Sequence, residues 1–143
     1  MTNGRRKIRS IALQALYEYD CTKHHPESIV DRLYIEQSLS KEADIFTREL
    51  VLGVVNHQTK IDAVIQEFAS AWPLAQIPAI DKNILRLAIF ESLLSNEVPS
   101  KVVINEAIEL AKKFGSDNSA RFVNGVLGSI HNQYKEKVKL AIM

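Results

Sequence analysis

ARFVNGVLGSI, residues 120–130, carries two incompatible signals. Asn124-Gly125 between apolar runs is a strong short-range mark of a β-hairpin. Yet Ala120, Val123, Leu127 and Ile130 keep helical spacing, and strict alternation of apolar and polar residues fails. Read as a helix, the stretch leaves no strand signal anywhere in the chain, so the expected fold class is all-α. A glycine inside a helix costs about 1 kcal/mol relative to alanine. The helical reading therefore expects Gly125 to let another helix approach closely, and Asn124 to bond an adjacent helix end.

Helical period extends upstream from this stretch. Val103, Ala107, Leu110, Ala111 and Phe114 form one stripe of a helix that Ser100 would open. Gly115 stands where a left-handed helix terminus belongs, after Lys112 and Lys113 in the last turn. The final helix should start near Asp117 or Asn118. Ile80, Ile84, Leu87 and Glu91 mark one face of a preceding helix, with Leu85, Ile89 and Leu93 beside it. That helix is apolar on most sides and should be central, and NEVPS, residues 96–100, should end it. Before it lies SAWPLAQIPAID, residues 70–81, where Pro73 and Pro78 interrupt any helix. This midpoint is expected to join an N-terminal helical subdomain, 1–71, to a C-terminal one, 78–134, with Trp72 packed at the junction.

The first half reads as four helical segments. Ile8, Ile11, Ala12, Ala15, Leu16 and Tyr19 form a continuous stripe that His24, His25 and Pro26 end. A second segment spans about 27–39. Ser40 caps a third, with Glu42 and Asp44 in its first turn. A fourth restarts near Thr59.

The chain has 143 residues, 46% of them hydrophobic, a formal charge of +1 and a single cysteine. One domain is expected. No apolar run reaches membrane-spanning length, and Cys21 alone cannot build a disulfide framework; both fit a cytoplasmic protein. Charge is unevenly placed. Of the 18 Lys and Arg residues, Arg5, Arg6, Lys7 and Arg9 fall in 1–17, which holds no acid; 14 remain against all 17 acids. Cations at a helix start oppose the helix dipole. Their clustering points to a partner that supplies negative charge, foremost a nucleic-acid backbone, the alternative being a solvated, frayed terminus. A second face of the first helix, Arg6, Arg9, Leu13, Tyr17 and Asp20, would align an exposed leucine and tyrosine with the arginines, either as an adhesive surface or as packing under a neighbour.

Catalytic signatures are missing: the sequence contains no GxGxxG, GxxxxGK[ST], HExxH or GxSxG. Cys21, His24 and His25 match no metal-ligand spacing. A binding protein is expected, not an enzyme, with no cofactor and no metal.

DKNILRLAIFE (81–91), VPSKVVINEAIELAKKFG (98–115) and RFVNGVL (121–127) strongly resemble the NusB family of transcription antitermination factors. The opening RRKIRSIALQALYEYD is similar to that family's arginine-rich first helix. The resemblance runs from about residue 5 to 133 of a single NusB-like domain, 1–143. It implies about seven helices in two three-helix bundles. It also implies a factor that binds the boxA element of nascent ribosomal transcripts together with NusE, a small-subunit ribosomal protein, and keeps the RNA polymerase elongation complex moving. By position, it assigns Arg5, Arg6, Lys7, Arg9, Asn118 and Phe122 to RNA, and Leu13, Tyr17 and Asp81 to the protein partner. Asn105 and Glu106 are expected in a polar network between helices. Three alternatives stand beside this reading. One is a NusB-like RNA-binding module of an rRNA methyltransferase. Another is a helical interaction protein, without RNA, pairing as a homodimer through Leu13 and Tyr17. The third is a small hydrolase or metal protein built on Cys21, His24 and His25.

Overall fold

The computed structural model describes residues 2–95 and 98–134. Of the expected break in NEVPS, Asn96 and Glu97 lie outside the described residues, as does the tail from residue 135. Seven α-helices are described: α1 (Thr2–Thr22), α2 (Pro26–Glu36), α3 (Lys41–Asn56), α4 (Gln58–Phe68), α5 (Ala79–Phe90), α6 (Ser100–Phe114) and α7 (Ser119–Ser129). No strand occurs among the described residues, so the fold is all-α. Leu74–Gln76 forms a 3₁₀ turn, and wide π-type turns, Glu91–Ser95 and Ile130–Tyr134, extend α5 and α7.

The chain divides into two compact units, residues 1–56 and 57–143. The boundary expected at the prolines of 70–81 thus falls earlier. Helix α4 packs against α5 and α7, which places it in the second unit. Among the described residues the first unit has three α-helices and the second four.

In the first unit α1 packs against both α2 and α3, and those two pack against each other. Its core is Ile11, Ala12, Leu13, Ala15 and Leu16 of α1, Ile29, Val30 and Leu33 of α2, and Leu50, Val51 and Val54 of α3. Local chemistry sets the helix starts. The Ser40 hydroxyl accepts from the Ala43 amide at 3.1 Å. The His25 ring accepts from the Glu27 amide at 3.3 Å, just before Pro26 in the first turn of α2. Ion pairs stitch the surface. Arg32 of α2 grips Glu18 of α1, one contact measuring 2.8 Å. Arg48 of α3 reaches Asp31 of α2 at 2.6 Å and Asp44 at 2.9 Å. The Arg32 guanidinium holds the Glu18 carboxyl at about 2, well below the usual carboxylate range.

In the second unit α5 is central, as its sequence demands: Asp81, Asn83 and every residue from Ile84 to Ile89 are buried. Arg86 is among them, with its side chain 3% exposed. It is satisfied by a two-pronged pair with Asp62 of α4, at 2.7 and 2.9 Å, and donates to Asn83 at 3.0 Å. Asn83 in turn donates to the Ala79 carbonyl at 2.8 Å. Helix α7 runs unbroken through Asn124-Gly125, so the hairpin signal is false. The expected close approach is also absent. A side chain on Gly125 would meet nothing within 4 Å among the described residues, and Asn124 is exposed.

Gly115 departs from its expected role in a different way. Its φ of −94° and ψ of −168° are extended, not left-handed. Glycine is required there by crowding: a Cβ would collide with the Ser119 side chain and lie 2.8 Å from the Ala111 carbonyl oxygen.

Candidate nucleic-acid interface

Two surfaces collect the residues expected at a partner. The first is the start of α1. Lys7 and Arg6 are exposed, and Arg5 is half-buried because its guanidinium lies over the Phe46 ring of α3, 4.3 Å from the centroid. The stack fixes a planar cation at a surface without neutralising it. Beside it, a groove of about 460 Å³ is lined by Arg5, Lys7, Ile8, Leu39, Glu42 and Phe46. Arg6 is engaged by another group within the fold.

Arg9 differs from its neighbours. It is 5% exposed and is also engaged inside the fold. Leu13, expected in line with the arginines on an open face, is 2% exposed and belongs to the core. Both corrections have one cause. Because α1 contacts α2 and α3 at once, its covered sector is wider than a single stripe and takes in the 9-13-16 line. Tyr17 does stay open, at 41% exposure, and the neighbouring Cys21 thiol raises its phenol above the ordinary value. Glu106 is buried and partnered within the fold, whereas Asn105 is exposed.

The second surface is a groove of about 310 Å³ in the second unit, between the 72–81 segment and the α6–α7 connection. Asn118 and Phe122 line it, together with Trp72, Ile77, Pro78 and Asp81. Asn118 is exposed at the start of α7 without capping that helix through its side chain. Phe122 is half-buried. Asp81, expected to meet a protein, is 5% exposed; its carboxylate accepts the Ser119 hydroxyl at 2.7 Å. The same Ser119 oxygen accepts from the Ser116 amide at 2.8 Å. Asp81 therefore anchors the α6–α7 connection onto α5 while lining the groove wall. Trp72, expected to be packed at a junction, is 55% exposed. Sequence reasoning placed it wrongly because a large aromatic just before a proline-marked connection reads as buried there.

Cys21, His24 and His25 do not converge: among the described residues no group of three His, Cys, Asp or Glu side chains is placed to hold a metal. His24 instead faces Glu18 at 3.2 Å. No described helix is long and apolar enough to cross a membrane.

Residues 6–132 match the profile of the NusB family. The chain belongs to the NusB family. Among its relatives, the transcription antitermination protein NusB of Roseiflexus sp. (strain RS-1) is 49% identical over 141 residues, 97% of this chain and 99% of the relative. That of Dehalococcoides mccartyi (strain ATCC BAA-2266 / KCTC 15142 / 195) is 49% identical over 139 residues, 97% of each. Of the solved structures, T. maritima NusB superposes with a TM-score of 0.86 at 32% identity, covering 95% of this chain and 96% of that one. The chain is also similar, at a TM-score of 0.85 and 26% identity, to one in a crystal structure of the antitermination factors NusB and NusE with double-stranded RNA; 94% of this chain and 100% of that chain are covered. The Roseiflexus and Dehalococcoides relatives are matched over nearly their whole length.

Proposed function

We propose that this chain is an antitermination factor that binds the boxA element of nascent ribosomal RNA together with NusE and helps the RNA polymerase elongation complex resist termination. Family membership over nearly the full length carries this reading. A solved relative that holds NusE and RNA supports it, as does the cationic start of α1. The mechanism involves no bond chemistry. Arg5, Arg6 and Lys7 meet phosphates, which gives affinity without sequence. Asn118 and Phe122 meet unpaired bases, where RNA sequence is read. Arg9 supports this surface from within the helix. Tyr17 offers an amphipathic contact for the protein partner, and Asp81 acts by holding the α6–α7 connection in place.

A mobility-shift titration with boxA RNA and a scrambled RNA, each with and without NusE, tests the proposal. Weak binding alone and much tighter, boxA-selective binding with NusE are expected. Equal affinity for the two RNAs in the presence of NusE would overturn it.

A further inference from the structure

The α2–α3 hairpin carries the opposite charge to the start of α1. Residues 26–56 hold six Asp and Glu against three Lys and Arg. Two of those cations are engaged by acids: Arg48 by Asp31 and Asp44, Arg32 by Glu18 and Glu36. Glu27, Asp31, Glu42 and Glu49 are all exposed.

Two large apolar side chains stand among these acids. Ile35 is 74% exposed and Ile45 56%. A single exposed isoleucine is ordinary on a globular protein; the placement of this pair is not. The 2.6 Å bridge from Arg48 to Asp31 ties α3 to α2 at one level. Ile35 lies one turn after Asp31 and Ile45 one turn before Arg48, so both sit on the loop side of the bridge, at matching height. At about 100° per residue, each falls opposite the buried row of its own helix, on the outward crest. Tyr34, also exposed, is about 200° around α2 from Arg32, which faces α1, and so lies on the flank toward α3. The outcome is an apolar strip framed by carboxylates. Its two helices are braced by Arg48, so little ordering remains to be done when a partner arrives.

The charge of the frame decides what covers the strip. An RNA backbone is repelled by it. A second copy presenting the same face would set acids against acids. A protein surface with an apolar centre and a rim of Lys and Arg gains twice, by burying the isoleucines and by meeting the carboxylates. We propose that the outer face of the α2–α3 hairpin docks such a cationic-rimmed protein surface within the elongation complex. The inference rests on the functional reading above and adds a third contact, made by residues other than those assigned to RNA and to NusE.

The test uses the full chain, NusE and a reconstituted elongation complex on a template with boxA ahead of a terminator. Ile35→Lys combined with Ile45→Lys sets cations against a cationic rim. Both positions are exposed, so helicity by circular dichroism should hold. Affinity for boxA RNA with NusE, by mobility shift, should stay within about twofold of the unaltered chain. Readthrough of the terminator should need at least about 10-fold more of the variant. Ile35→Leu combined with Ile45→Leu keeps the apolar strip and should read through normally. A benzophenone amino acid in place of Ile45 should crosslink to a protein of the complex other than NusE.

Unchanged readthrough by the double lysine variant would overturn the docking face and leave the RNA-binding reading standing. Crosslinking to RNA, to NusE, to a second copy or to nothing would do the same. Absence of boxA-dependent readthrough with the unaltered chain would bring down the functional reading and this inference with it.

Discussion

Arg86 and Arg5 are the same side chain in two opposite settings. Arg86 lies inside the second unit with three of its nitrogens bonded to Asp62 and Asn83. Arg5 lies at the start of α1 with its guanidinium resting on the Phe46 ring. A guanidinium taken out of water must be fully paired, so the interior one is spent on structure. A guanidinium on an aromatic face keeps its charge on offer. The first arginine holds helices together; the second is available to a phosphate.

The strongest test of that contrast is stability. Arg86→Ala strands the Asp62 carboxylate and should cost about 3–5 kcal/mol, read as a fall in the chemical-denaturation midpoint. Arg5→Ala should change stability by no more than about 0.5 kcal/mol. Binding should show the reverse order. Replacing Arg5, Arg6 and Lys7 together by Glu should lower RNA affinity by about 100-fold or more, if each charge-assisted contact is worth even about 1 kcal/mol. Helicity by circular dichroism should hold, since acids at a helix start suit the dipole. The salt slope for single-stranded RNA, about −2 to −3 for three or four phosphate contacts, should shrink toward zero. Arg9 is left out of this variant because burying a glutamate in its place would confuse unfolding with lost binding.

Smaller effects separate the two units further. Gly115→Ala should destabilise by about 1–3 kcal/mol through overpacking against Ser119. It should also weaken RNA binding through the 116–122 segment while leaving the α1 contacts alone, a split visible as reduced affinity with an unchanged salt slope. The smallest change concerns Glu18. Its carboxyl is depressed to about 2 by Arg32, so the pair's contribution is fully present above the ordinary carboxylate value and fades as pH falls toward 2. Being near the surface, it is worth only about 0.2–1 kcal/mol. Glu18→Gln should lower the midpoint slightly at neutral pH, and the gap from the unaltered chain should narrow by pH 2.

Much of this architecture is legible in the sequence, for reasons that differ by element. The period of α5 to α7 is strong enough to overrule an Asn-Gly hairpin signal, because four apolar positions outweigh one turn dipeptide. The cluster at Arg5 to Arg9 is a count of charges, and counts need no coordinates. Leu13 is misread because a single stripe cannot tell how many neighbours a helix has; α1 has two within its unit. Trp72 is misread because hydrophobicity says what a residue prefers, not what its backbone allows; the Gln66 side chain donates to the Trp72 carbonyl at 2.8 Å, a contact across the segment's own bend. Asp81 looks like a surface carboxylate at a helix start, and only the arrival of Ser119, thirty-eight positions later, shows its burial. The boxA and NusE expectations came from resemblance; no spacing of residues contains them.

Gly115 bears on how this chain can change over generations. Where handedness demands glycine, asparagine is a ready understudy; here it would fare no better than alanine, because the obstacle is bulk. Trimming Ser119 to glycine as well would leave the Ala111 carbonyl oxygen 2.8 Å away, and it would delete the hydroxyl Asp81 relies on. The two positions are bound in one mutational lock, which closes the short paths away from either residue.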